Sequence, residues 1–246
     1  MPDNKRWNLG DIFKVFLFHF SMMLVGIPVF LRVSKQIFGL DLVEVFGQNT
    51  ILLSLSLIVN ILTCFYVFYI IRVEYGLPVT SLGFTTRNWK SDVIIGLKHY
   101  LIVLPVIIIT GVVVDFVLRM FGIAPEQQDI INKILNEDSF GVLTFMFFFG
   151  MLAAPVVEEL LFRGFLQSAV RTTFGKLKAI LISGFLFALI HLNAHVFLQI
   201  FILGLLLAYL FEKTGSLIAP ITVHICHNTA TLAFLISFKH ILKSHV

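Results

Sequence analysis

The chain has 246 residues, 58% of them hydrophobic and 13% charged, with a mean hydropathy of +0.96 and a formal net charge of +4. That is more apolar surface than one water-soluble core can bury, which excludes a soluble or disordered chain and implies an all-α, polytopic transmembrane helical bundle forming one membrane domain. The basic residues are scattered among loops and form no stripe, so the lipid bilayer is the expected partner and nucleic acid is not.

Lys5 and Arg6 precede an apolar run from Val15 to Leu31 that lacks a small-residue cleavage site. An uncleaved first transmembrane helix is therefore expected over residues 12–32. A spanning helix needs about 20 apolar residues, and further candidates follow at 50–72, 95–118, 140–168, 177–194, 196–212 and 217–238. The count is about seven, within a range of six to eight. After the second span, Gly76, Pro78, Gly83 and Asn88 punctuate a connector made basic by Arg72, Arg87 and Lys90. The loop from Gly122 to Ser139 is acidic through Glu126, Asp129, Glu137 and Asp138. Ile130, Ile131, Ile134 and Leu135 recur there at helical spacing, as expected of a short amphipathic helix at the interface. Arg171, Lys176 and Lys178 make the next loop basic. The alternation favours a cytoplasmic N-terminus, although Arg32, Lys35, Lys239 and Lys243 run against it. Between 177 and 212 only His191, Asn193 and His195 interrupt the apolar run, so a turn or a re-entrant segment is expected there. Cys64 and Cys226 have no spacing suggestive of a disulfide or metal knuckle.

Charges inside the apolar segments carry the functional signal. A lipid-facing carboxylate at the bilayer centre costs at least about 2.5 to 3.5 kcal/mol, so such groups face protein, pair, and usually act. Glu158 and Glu159 stand together in an apolar stretch, with Arg163 four residues after the second. On a helix Glu159 and Arg163 share a face and can pair, whereas Glu158 is rotated by about 100° and free for other work. An unpaired Glu158 in a low-dielectric site is expected to have a raised pKa, as a general base or acid near neutral pH requires. If a turn near Phe174 joins antiparallel helices, Glu158 and His191 lie at similar depth, each about 25 Å along its axis. His224 and Asn228 share a face of the last span and can donate hydrogen bonds to developing negative charge. Counted from Gly215, however, His224 is only about 14 Å in, a mismatch with the other two. Pro28, Pro105, Pro155 and Pro220 are expected to kink or start helices, and Asp115 and Arg119 to form a simple pair. His19, His99, His195, His240 and His245 have no helical partner that makes a site.

The sequences EELLFR at 158–163, FALIH at 187–191 and HICHN at 224–228 resemble, in order, the motifs Glu-Glu-x-x-x-Arg, Phe-x-x-x-His and His-x-x-x-Asn of the CPBP (CAAX protease and bacteriocin-processing, or Abi) family of intramembrane proteases. The family includes the Ras-converting CAAX prenyl endopeptidases and many bacterial members linked to bacteriocin self-immunity. The resemblance implies a catalytic core over 140–238, with N-terminal helices and an interfacial segment at 1–139 and a short tail at 239–246. It implies that Glu158 and His191 activate a water, that His224 and Asn228 stabilise the oxyanion, and that Glu159 and Arg163 support the geometry. The implied substrate is a membrane-associated protein or peptide. The location is an integral, multi-pass one, in the cell membrane if the source is bacterial.

No cofactor is expected. The alternative is Zn2+ held by Glu158, His191 and His224, which would leave a fourth position for water, although no His-Glu-x-x-His is present. The polar cluster can also be read as a structural ion pair, or as part of a non-catalytic protein. Such a protein would be a bacteriocin-immunity factor that binds a peptide, or a proton-coupled transporter, against which no internal repeat is evident.

Overall fold

A computed structural model of the chain describes residues 6–123 and 137–237. Seven helices account for most of it, with a short helix at Leu42–Phe46 and a 3-10 turn at Val79–Leu82 between the first three, and no strand occurs among the described residues. Helix α1 spans Leu9–Phe38, α2 Gln48–Glu74, α3 Trp89–Met120, α4 Phe140–Phe174, α5 Lys176–Leu189, α6 Phe197–Thr214 and α7 Ile218–Ser237. All but α5 are long and apolar enough to cross a bilayer. The chain is thus an all-α, multi-pass integral membrane protein. The outward faces of α1 and α3 fit that setting, with Phe13, Leu24, Ile102, Ile109 and Phe116 all exposed.

Six of the seven candidate spans correspond to long apolar helices. The fifth, 177–194, is different: its helix has 14 residues and stops at Leu189, about 21 Å long at 1.5 Å per residue, too short for a bilayer. The turn expected around His191, Asn193 and His195 follows, with Leu192 at a positive φ of 50°. The amphipathic helix expected between Gly122 and Ser139 falls mostly outside the described residues, as does the tail with Lys239, His240, Lys243 and His245.

Of the four prolines expected to kink or start helices, two sit just behind wide π-turns. Pro28 follows the π-segment Met22–Gly26, and Pro155 follows Phe149–Ala153. The widened turn accommodates a ring and a missing N–H without breaking the rod. Pro105 lies inside α3, and Pro220 lies in the first turn of α7.

Residues 7–11, at the start of α1, are fixed by specific contacts. Asn8 caps α1 by accepting from the Gly10 and Asp11 amides, and Asp11 reaches back to the Asn8 amide. The Tyr75 phenol donates to Asp11, which pushes it up to about 12 and keeps it a donor at neutral pH. Trp7 is buried, stacked on Phe165 at 5.7 Å between centroids, and donates from Nε1 to the Phe165 carbonyl at 2.8 Å. This pins the segment just before α1 to the C-terminal third of α4.

The bundle around α4 is assembled through small residues, which let helix backbones approach. At the α5–α6 crossing, a Cβ on Gly204 would lie 2.9 Å from the Gly184 carbonyl oxygen. Where α3 meets α7, one on Gly96 would lie 2.9 Å from the Ala219 carbonyl oxygen. The connector after α2 tucks under α4: the Leu217 amide donates to the Gly83 carbonyl at 3.0 Å, and a Cβ on Gly164 would come within 2.7 Å of the Leu82 carbonyl oxygen. Both partners in that last approach are backbone, so neither yields easily. Gly164→Ala is therefore expected to destabilise the protein by about 1–3 kcal/mol, read as a lowered thermal midpoint in detergent.

Candidate active site

Glu158 and Glu159 lie on α4 at the junction of an α-helical stretch, Ala154–Glu159, and a π-helical one, Leu160–Gln167. π-turns inside α-helices recur at functional positions because they re-aim side chains. The residues from Leu160 to Gln167 are all buried, so this part of α4 is the hub of the bundle.

The pairing of Glu159 with Arg163 is present. Arg163 Nη1 meets Glu159 Oε1 at 2.9 Å, and both side chains are fully buried. Arg163 Nη2 donates to the Gly204 carbonyl at 3.2 Å, and the guanidinium carbon lies 4.4 Å over the Phe187 ring. A cation stacked on an aromatic face and bonded to a carboxylate and a carbonyl is compensated on several sides. The same Glu159 oxygen receives His224 Nδ1 at 2.8 Å. His224 is 3% exposed, and its Nε2 points toward Glu158 Oε2 at 3.7 Å, beyond hydrogen-bond range. One imidazole thus spans both acids, fixed by Glu159 on one side and turned toward Glu158 on the other.

Glu158 is more open than its neighbour, with its side chain 28% exposed. It lines a cavity of about 320 Å³ together with His191, His224, His227, Asn228 and Phe187. Leu53, Met146, Leu232 and Leu235 line it as well, so a polar end adjoins an apolar one. His191 lies in the turn after α5, with Nδ1 bonded to the Phe187 carbonyl at 2.8 Å, which directs Nε2 the other way. Phe187 meets the His191 and His224 rings edge-on, at 5.0 and 5.5 Å. The Asn228 amide donates to the Gly150 carbonyl at 2.8 Å, tying α7 to α4.

The depth mismatch of His224 has a simple origin. At 35 residues α4 far exceeds a bilayer span, and the chain level with the start of α7 is Gly164, not the turn near Phe174. From Gly164 back to Glu158 is six residues, and from Leu217 to His224 is seven, about 9 and 10 Å at 1.5 Å per residue.

The residues singled out in the sequence, Glu158, Glu159, Arg163, His191, His224 and Asn228, therefore come together. No group of three or more His, Cys, Asp or Glu placed to hold a metal ion occurs among the described residues. His19, His99 and His195 lie away from the cavity: His19 bonds Thr63, His99 contacts Lys213, and His195 stands 3.7 Å from Asp115, itself paired with Arg119 at 2.8 Å. Sequence reading overlooked Tyr100, whose hydroxyl reaches His227 at 3.2 Å, and the Gly150 carbonyl. A lone Tyr in α3 carries no spacing signal, and a backbone carbonyl carries none at all.

Residues 140–230 match the model of the type II CAAX prenyl endopeptidase Rce1-like family. That stretch holds all three motifs, and the match agrees with the resemblance to the CPBP proteases. No curated protein and no solved structure matches the chain.

Proposed function

We propose that the chain is an intramembrane endopeptidase that hydrolyses a peptide bond of a membrane-associated protein or peptide. The observation that carries this reading is the single cavity onto which Glu158, His191, His224 and Asn228 open, backed by the buried Glu159–Arg163 pair. Glu158, assisted by His191 Nε2, takes a proton from water as its oxygen attacks the carbonyl carbon. The resulting oxyanion accepts hydrogen bonds from Asn228 and from Nε2–H of the His224 imidazolium, whose Nδ1–H is held by the Glu159 carboxylate. The tetrahedral species then expels the amine, which takes its proton from Glu158. Cleavage by this route leaves one new carboxylate and one new amine.

A mixed cavity, polar at the acids and apolar at Met146, Leu232 and Leu235, suits a peptide whose side chains near the scissile bond are themselves apolar or lipid-anchored. The test is cleavage of membrane-tethered peptides by purified protein, with termini identified by mass spectrometry and with chelator and zinc add-back in parallel. Cleavage that survives chelation supports carboxylate-driven hydrolysis. Cleavage lost to chelator and restored by zinc assigns the water activation to a metal. Absence of cleavage with a retained cellular phenotype turns the reading into a peptide-binding role.

Asn228→Ala is expected to lower kcat by about 10²–10³, the range for loss of one oxyanion donor. Because Asn228 also bonds Gly150, the thermal midpoint is measured alongside, and a fall in kcat without unfolding is the expected pattern.

A further inference from the structure

His227 occupies one of the unspecified positions of the His-x-x-x-Asn motif, yet it lines the same cavity as His224 and Asn228. Spaced three and four residues apart on α7, His224, His227 and Asn228 fall on neighbouring positions of one helix surface. Their hydrogen-bonding capacity is unequally committed. His224 gives Nδ1 to Glu159 and faces Glu158 with Nε2. Asn228 spends one amide hydrogen on the Gly150 carbonyl and keeps one. Among the described residues His227 engages Nδ1 alone, at 3.2 Å from the Tyr100 hydroxyl.

The Tyr100 contact determines which nitrogen of His227 carries the proton. Tyr100 is buried at 6% exposure in α3, and a buried phenol needs an acceptor for its proton. His227 Nδ1 is the acceptor it meets among the described residues, so Nδ1 is unprotonated and Nε2 bears the hydrogen. The two rings stand perpendicular with centroids 6.0 Å apart, which restrains the imidazole against rotation. The result is an N–H donor held on the cavity wall by a second helix, beside the residue already assigned to the oxyanion.

We propose that His227 is a further catalytic residue, donating from Nε2 to the oxyanion of the tetrahedral species, and that Tyr100 is its positioning residue. The proposal rests on the endopeptidase reading above. It supplies the oxyanion with a donor that is not shared with the two glutamates.

The experiment measures kcat and KM on a membrane-tethered peptide for wild type, His227→Ala, His227→Gln, Tyr100→Phe and the Tyr100→Phe/His227→Ala pair. His227→Ala is expected to lower kcat by about 10²-fold with KM little changed, as for a contact made only in the transition state. His227→Gln, which keeps an amide donor, recovers part of the loss. Tyr100→Phe lowers kcat by about tenfold, and the double variant is no slower than His227→Ala alone, because Tyr100 acts through His227. A purely structural Tyr100 would instead give losses that multiply. If His227→Ala fails to fold in detergent, the Gln variant and Tyr100→Phe carry the same comparison. Unchanged kcat in His227→Ala, a change confined to KM, or multiplicative losses overturn the proposal while wild-type cleavage leaves the endopeptidase reading standing. A wild-type protein that cleaves nothing overturns both.

Discussion

Glu158→Gln is expected to reduce peptide cleavage by about 10²–10⁴-fold, the usual contribution of a positioned general base. The amide keeps the shape of the carboxylate and its place on the cavity wall but cannot take a proton from water. Glu158 is partly open to the cavity and makes no hydrogen bond among the described residues, the His224 Nε2 atom standing 3.7 Å from its carboxylate. The variant should therefore purify and melt like the wild type. That combination separates it from Glu159, whose removal strips both Arg163 and His224 of their shared acceptor. Wild-type turnover by Glu158→Gln would end the proposed water activation.

The second large effect is on stability. Arg163→Met leaves the Glu159 carboxylate with His224 as its remaining donor, in a site with no exposure. One oxygen of that carboxylate serves both donors, while Oε2 has no hydrogen-bond partner among the described residues. Breaking a buried pair by deleting one member costs about 3–5 kcal/mol, because the surviving charge is left uncompensated. Guanidinium loss also removes the contact over Phe187 and the bond to Gly204, which links α4 to α6. The expected result is a large drop in thermal midpoint, with much of it regained in Arg163→Met/Glu159→Gln, where the buried carboxylate charge is removed together with the guanidinium. A single variant as stable as wild type would show that the pair is not buried in the way described.

The sequence made the helical class and most of the spans legible because apolar length alone decides them. It also made the Glu159–Arg163 bond legible, since four-residue spacing on a helix admits few other outcomes. It was less informative wherever backbone packing decides. Depth measured from the turn near Phe174 misjudged His224, because α4 overshoots the level set by Gly164, Leu82 and Leu217. Apolar length predicts a full span where α5 is short, because the apolar run continues past Leu189 into the turn that carries His191. The link of Tyr100 to His227 spans 127 positions and could only be read from the fold.

The wide winding of α4 from Leu160 to Gln167 has a consequence for how this helix can vary. Each residue of an ordinary helix turns the chain by about 100°, so removing one residue while the wide winding is kept would swing everything upstream by a comparable angle. The shortened rod would still be long enough to cross lipid, yet its two acids would be aimed at a different neighbour. Phase, far more than length, is what this segment has to preserve: insertions or deletions there should be silent to any test of membrane integration and ruinous to any test of chemistry.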